Sequence, residues 1–347
     1  MLKSRIRIFF NVLLLVLMGC CLVWNQLVIY GISQGRGQLN IIMNAQPVSE
    51  IMQDATFPDS LKQKLALIDD IKKFAVDSLG IKPSSNYTTV YNQHNKSILW
   101  TVSASEPYQL KAKEWTFPFL GTVSYKGFFN KKALRKEYLN LVKDNYDIDV
   151  YSPSGWSTLG WFKDPIQSNM LYKDAGSLAN LIIHELTHGT LYVKNDVTFN
   201  ENLANFIGDK GAELFLMQKF GKGSKQYMDY MQEKVDTKLF TDYILEGTDK
   251  LEKLYSSFKS TDSETFKKEQ KKNLITQIVL GVNKLPLYKK RNYFRYSLQA
   301  FREGNAFFMA FSRYDSEYEK FDADFKANYH SDLRLYLDAM KKKYTSL

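Results

Sequence analysis

Cysteine is nearly missing from this 347-residue chain: Cys20 and Cys21 are the only two, and everything after them has none. From residue 22 onward an internal disulfide and a cysteine-based zinc site are excluded, while an oxidising compartment stays allowed. Histidine is almost as scarce, with four residues in all. No internal repeat and no long low-complexity linker divides the sequence. No nucleic-acid-binding motif accompanies the formal charge of +10, so no nucleic-acid partner is expected. The charge sits in lysine-rich stretches such as Lys267–Lys272, Lys289–Arg291 and Lys341–Lys343. These read as a solvated basic surface, with attraction to anionic lipid headgroups as a further reading. The 44% hydrophobic and 14% aromatic content is that of a globular chain, not a disordered one.

Two of the four histidines fall in Leu181-Ile182-Ile183-His184-Glu185-Leu186-Thr187-His188, directly after the apolar run Leu178 to Ile183. On a helix, residues four apart share a face, so both imidazoles can reach one metal ion with Glu185 beside them. This is the H-E-x-x-H arrangement, in which neutral imidazoles ligate zinc and the carboxylate takes a proton from an activated water. An amphipathic helix carrying two histidines by accident is the alternative. A catalytic zinc needs a third protein ligand and an open position for water. A turn at Lys194-Asn195-Asp196, with a cap at Thr198 or Asn200, starts a second helix bearing Glu201, twelve residues beyond His188. Glu201 is the candidate third ligand; Asp196, Asp209 and Glu213 compete with it. A carboxylate near a helix N-terminus is also ordinary. Asn205, one turn on, could hydrogen-bond a ligand, and an ordinary polar helix position explains it equally well.

Residues 8 to 30 are apolar except for Asn11, Asn25 and Gln26, behind Lys3, Arg5 and Arg7. The length matches a bilayer span of about 20 residues with a cytoplasmic N-terminus and the remainder outside. Leu17-Met18-Gly19-Cys20 also looks like a lipoprotein box that would put lipid on Cys20. Helical spacing at Leu61, Leu65, Ile68, Ile71 and Ala75 predicts a helix over 59–79, bracketed by Pro58 and Gly80. Residues 87–91 and 97–102 read as a β-hairpin around a loop that holds His94. The segment Trp156 to Phe162 reads as an edge strand just ahead of the metal helix. Through Trp156, Ser157, Thr158, Leu159 and Gly160 it could pair with an extended substrate backbone, although the tryptophans could equally pack the core. Beyond Gly211 the pattern is nearly all helical, and although Asn305 and Tyr314 there could hydrogen-bond substrate, core or surface packing is the first reading of each.

Several stretches together resemble a family of bacterial membrane-associated putative aminopeptidases, which belongs with the H-E-x-x-H zinc peptidases of the glutamate-zincin kind. They are Gly37-Gln38, Trp115 to Gly121, Tyr125 to Phe129, Ser157 to Pro165, His184 to His188, Phe199 to Glu201 and, weakly, Asn305-Ala306. The resemblance implies that His184 and His188 bind one zinc ion per chain, that Glu185 is catalytic, and that Glu201 stands where a glutamate ligand would. The expected fold is α+β and zincin-like: a small mixed or antiparallel sheet before residue 165, the H-E-x-x-H helix, a mostly helical C-terminal half, and one N-terminal transmembrane helix. The expected divisions are 1–30, an anchor; 31–220, the catalytic region; and 221–347, a helical region completing the cleft. The expected function is a membrane-anchored zinc metallopeptidase on the extracytoplasmic (periplasmic) side, an aminopeptidase acting on peptide or protein substrates. The chain lacks the Gly-x-Met-Glu-Asn segment that helps such aminopeptidases hold a free α-amine. A zinc endopeptidase and a non-catalytic membrane scaffold are therefore the alternatives.

Overall fold

The apolar spacing at Leu61 to Ala75 winds into a helix over Asp59–Asp77, and Gly80 turns the chain away from it at a φ of +71°. The computed structural model describes residues 25–117, 121–153, 155, 163–315 and 317–346. In chain order it begins with α1 (Asn25–Met43), β1 (Gln46–Pro47), α2 (Val48–Gln53) and α3 (Asp59–Asp77). Short strands follow: β2 (Thr89–Tyr91), β3 (Trp100–Ser105), β4 (Trp115–Phe117), β5 (Gly121–Val123) and β6 (Lys126–Phe128). After α4 (Lys131–Lys143) come β7 (Asp147–Tyr151) and β8 (Ile166–Gln167). Helices α5 (Ala175–His188), α6 (Val197–Phe220), α7 (Lys225–Ser256) and α8 (Glu264–Gly281) come next. They are succeeded by α9 (Lys290–Ser297), α10 (Ala300–Glu303), α11 (Asn305–Asp315), α12 (Tyr318–Tyr329) and α13 (Leu333–Lys343).

The expected α+β fold is corrected on two points. The described chain is mostly helical, and in place of one sheet it carries three small ones, ordered β1-β2-β8, β6-β3-β7 and β4-β5. The expected hairpin over 87–102 is absent, because β2 pairs with β1 and β8 while β3 pairs with β6 and β7. Burial explains the split. Val90 of β2 enters the main core beside Ile166, whereas Val102 and Ala104 of β3 pack with Phe128, Leu141 and Ile148 in a separate cluster.

The second correction concerns the membrane. Residues 1–24, including Cys20 and most of the expected span, lie outside the described residues. Among the described residues no helix is long and apolar enough to cross a membrane, which overturns the expected transmembrane helix and the membrane-anchored localisation. Helix α1, which holds the end of that span, lies along the protein instead. Tyr30 stacks on Phe117 at 5.4 Å and donates to the Gly127 carbonyl at 2.8 Å, and Gln34 Nε2 donates to the same carbonyl at 3.0 Å.

The main core forms where α5 lies between α3 and α6. Gly176, Ile182, Ile183 and Thr187 are weak helix formers, each costing up to about 1 kcal/mol against alanine. Burying Leu178, Ile182, Ile183 and Leu186 returns about 1.5–3 kcal/mol apiece, so tertiary packing sets the helix. The Asp174 carboxylate caps it by accepting from Ser177 N at 2.8 Å. Phe325, Leu333, Tyr336 and Leu337 of the last two helices return to this core, while α7, α8 and α11 build a second cluster around Phe240, Ile278 and Phe308.

Candidate metal centre

Helix α5 offers Ile182, Ile183 and Leu186 to the core and turns His184 and His188, one helical turn apart, toward α6. The reversal between the helices is pinned at both ends. Asp196, not Thr198 or Asn200, caps α6, accepting from Phe199 N at 3.0 Å. Asn200 instead closes a two-way clamp on the connecting loop: its Oδ1 accepts from Val193 N at 2.8 Å and its Nδ2 donates to Val193 O at 2.7 Å. Glu201 is the next residue, so the clamp fixes its entry into the site. Farther along the crossing, a Cβ on Gly208 would stand 3.0 Å from Asn180 O and 3.2 Å from His184 Cβ. Glycine there lets the two helices approach closely.

Three ligand atoms converge at this crossing. Glu201 Oε2 lies 3.5 Å from the Nε2 of His184 and 3.5 Å from that of His188, and the two Nε2 atoms are 3.1 Å apart. One ligand atom from each residue lies within 4.8 Å of the others, and the three could hold a metal ion. Burial raises the Glu201 carboxyl, but the facing histidines outweigh it and hold the group well below the usual carboxylate range. His188 Nδ1 is buried with no partner among the described residues, so no described hydrogen bond behind that ring fixes its tautomer.

Glu185, 7% exposed, points from the same helix. Burial pushes its carboxyl up to about 7, with Glu201 and Asp164 adding to the rise and His184 opposing it. Two phenols complete the surroundings. Tyr192 lies with its ring 5.9 Å from that of His188, and burial followed by the Glu201 charge pushes its hydroxyl up to about 12. Tyr125 is raised by the same two causes. Both stay protonated at neutral pH and can only donate or accept as neutral hydroxyls.

A cleft of about 1030 Å³ opens beside these groups, lined by His184, Glu185 and Asn205 on one side and by α7, α11 and β7 on the other. Asn205, half-buried, therefore faces the same space as two members of the motif. The competitors of Glu201 are engaged elsewhere. Asp209 takes Lys234 at 2.9 Å and the hydroxyls of Tyr230 and Tyr318, and Glu213 takes Lys234 at 2.8 Å. Asn305 is structural rather than substrate-facing: it is fully buried, accepting from the Tyr255 hydroxyl at 2.7 Å and donating to Glu106 O at 2.8 Å. Trp156, Ser157, Thr158, Leu159 and Gly160, with the whole edge strand 156–162, lie outside the described residues, as does the Tyr314 side chain.

Two cleft residues had no sequence signal. Arg313 comes from α11, more than a hundred residues after the motif, and its Nε donates to Ser124 Oγ at 3.0 Å. Asp149 comes from the outer strand β7, where an acid in an alternating strand reads as a solvent-facing position.

The fold and site define a mostly helical protein with a His-His-Glu cluster able to hold a metal ion, half-buried at His184, which lines a large cleft, and buried at His188 and Glu201. Residues 29–345 match the family model described as Putative aminopeptidase, and the chain belongs to that family. The family description names a peptide hydrolase. No curated protein and no solved structure matches the chain.

Proposed function

We propose that this protein is a zinc-dependent peptidase that removes residues from the N-terminus of peptides, with His184, His188 and Glu201 as ligands and Glu185 as general base. The observation that carries the reading is the convergence of two imidazole nitrogens and one carboxylate oxygen within 4.8 Å, beside a second buried carboxyl. In the tautomers that carry the proton on Nδ1, two Nε2 lone pairs and a carboxylate oxygen face one another. A cation relieves that crowding, and two nitrogens with one oxygen is a donor set that suits zinc. Zinc held there supplies Lewis acidity, polarising a carbonyl and acidifying water.

The rest of the chemistry belongs to the chain. Glu185, pushed up to about 7, is suited to take a proton from water on its carboxylate and return it to the leaving amine near neutral pH. The Tyr125 and Tyr192 hydroxyls, held protonated beside Glu201, are the donors available to a developing oxyanion. Asn205 lines the cleft one turn from Glu201 and can bond substrate or a ligand. The test is mass spectrometry of a peptide library incubated with the zinc-loaded protein. Stepwise loss of N-terminal residues that stops on chelation and resumes with zinc is expected. Internal cuts would replace the aminopeptidase reading with an endopeptidase one, and no hydrolysis at all would leave a non-catalytic binding protein.

A further inference from the structure

Ion pairing accounts for all but two of the acids that line the cleft. Asp209 is paired with Lys234 at 2.9 Å, Glu233 with Lys289 at 2.8 Å, Asp242 with Lys238 at 2.9 Å, and Glu319 with Lys238 at 2.5 Å. Glu303 is paired with Arg302 at 2.5 Å. Apart from Glu185, that leaves Asp149, which no described cation joins at ion-pair distance, although the Arg313 guanidinium of the same cleft acts on it from farther off. Burial pushes its carboxyl up to about 7, and the nearby Glu303 adds to the rise while Arg313 and Arg302 oppose it.

A second observation marks the same corner. Ser103 stands opposite Asp149 in the β3–β7 register, so their side chains share one face of the sheet. Ser103 is 1% exposed, and its Oγ has no hydrogen-bond partner among the described residues. A buried hydroxyl with no partner costs about 1–3 kcal/mol, and this one stands on the sheet face of Asp149, which itself lines the cleft. The Asp149 carboxylate can accept from a cationic N–H donor in the cleft, with Ser103 held on the same sheet face beside it. This corner belongs to β7, whereas the metal ligands belong to α5 and α6. Asp149 and Tyr151 both line the cleft, two residues and about 7 Å apart along β7 at the usual strand rise. A carboxylate set on a different element from the metal ligands suits the end of a long lysine or arginine stem.

We propose that Asp149, with Ser103 beside it and Glu303 behind, forms a subsite for the cationic side chain of a substrate lysine or arginine. The proposal rests on the peptidase reading for its substrate class. The test uses matched peptides bearing lysine, norleucine or glutamate next to the scissile bond, each with a free or an acetylated N-terminus. Binding is measured to the zinc-loaded Glu185→Gln protein, and turnover is measured separately with the unmodified protein, so that loss of peptidase activity does not silence the binding arm. Lysine should bind at least about tenfold more tightly than norleucine. Asp149→Asn, introduced beside Glu185→Gln, should bring that ratio near one, and Asp149→Lys should turn the preference toward glutamate, an inversion that misfolding does not produce. Equal binding of lysine and norleucine, a lysine preference that survives Asp149→Asn, or dependence on the free α-amine alone would each overturn the subsite. Absence of turnover with an intact lysine preference would overturn the peptidase reading and leave the subsite standing.

Discussion

The two large hydrophobic clusters of this protein treat buried polar groups differently. In the cluster built from α7, α8 and α11, polar groups satisfy one another within the chain. Asp236, fully buried, accepts from Tyr288 N at 2.9 Å and Lys289 N at 2.7 Å, and Asn305 distributes its amide over the loop at Glu106 and Pro107. At the edge of the α5–α6 cluster the groups do so less completely: His184, His188 and Glu201 crowd three ligand atoms together, His188 Nδ1 has no partner among the described residues, and Glu185 is buried with no described cation at ion-pair distance. Because buried polar groups are almost always paired, the unsatisfied set is where a ligand belongs and the satisfied set is scaffold.

The sharpest way to break this contrast is to remove its chemistry. Glu185→Gln should lower kcat by about 10²–10⁴-fold with zinc still bound, measured as peptide turnover alongside metal content. Full turnover by that variant would end the general-base assignment. Glu201→Ala should weaken zinc by more than the 10–100-fold typical of a partner behind a ligand, whereas Glu213→Ala, which loses only its Lys234 pair, should leave affinity alone. Competition with a chelator distinguishes the two.

Core truncations compare the regions directly. Phe206→Ala and Phe308→Ala should each cost about 3–5 kcal/mol in denaturant unfolding, since both side chains are fully buried. Only Phe206→Ala, within the Glu201 helix, should also weaken zinc; equal loss in both would mean that the second cluster holds the site as well. Gly208→Ala should cost about 1–3 kcal/mol and reduce zinc affinity, because the added methyl meets backbone and the His184 Cβ at the helix crossing.

The smallest effect is a pH dependence. The folded Asp149 carboxyl, raised from 3.8 to about 7, keeps a proton that the unfolded chain has lost across that interval. Its contribution therefore falls as pH rises from about 4 to 7, by roughly a few degrees of Tm at most. Asp149→Asn should flatten that part of the Tm profile, and an unchanged slope would assign it to other groups.

Short-range periodicity determined the part of this protein that could be read directly. The helix at Asp59–Asp77, the helix carrying His184 and His188, and the turn that delivers Glu201 all depend on spacings within a few residues, where helical geometry leaves little freedom. A glycine or a cap could not be placed as surely: Asp196 won over Thr198 and Asn200 because Asn200 was drawn into the loop clamp. The expected hairpin failed because strand partners are chosen by which core buries each strand, and Val90 and Val102 enter different ones. Three small sheets, the course of α1 along β6, and the delivery of Arg313 and Asp149 to one cleft were likewise decided by tertiary structure. These depend on contacts between residues far apart in the chain, where no local repeat records which surfaces will meet.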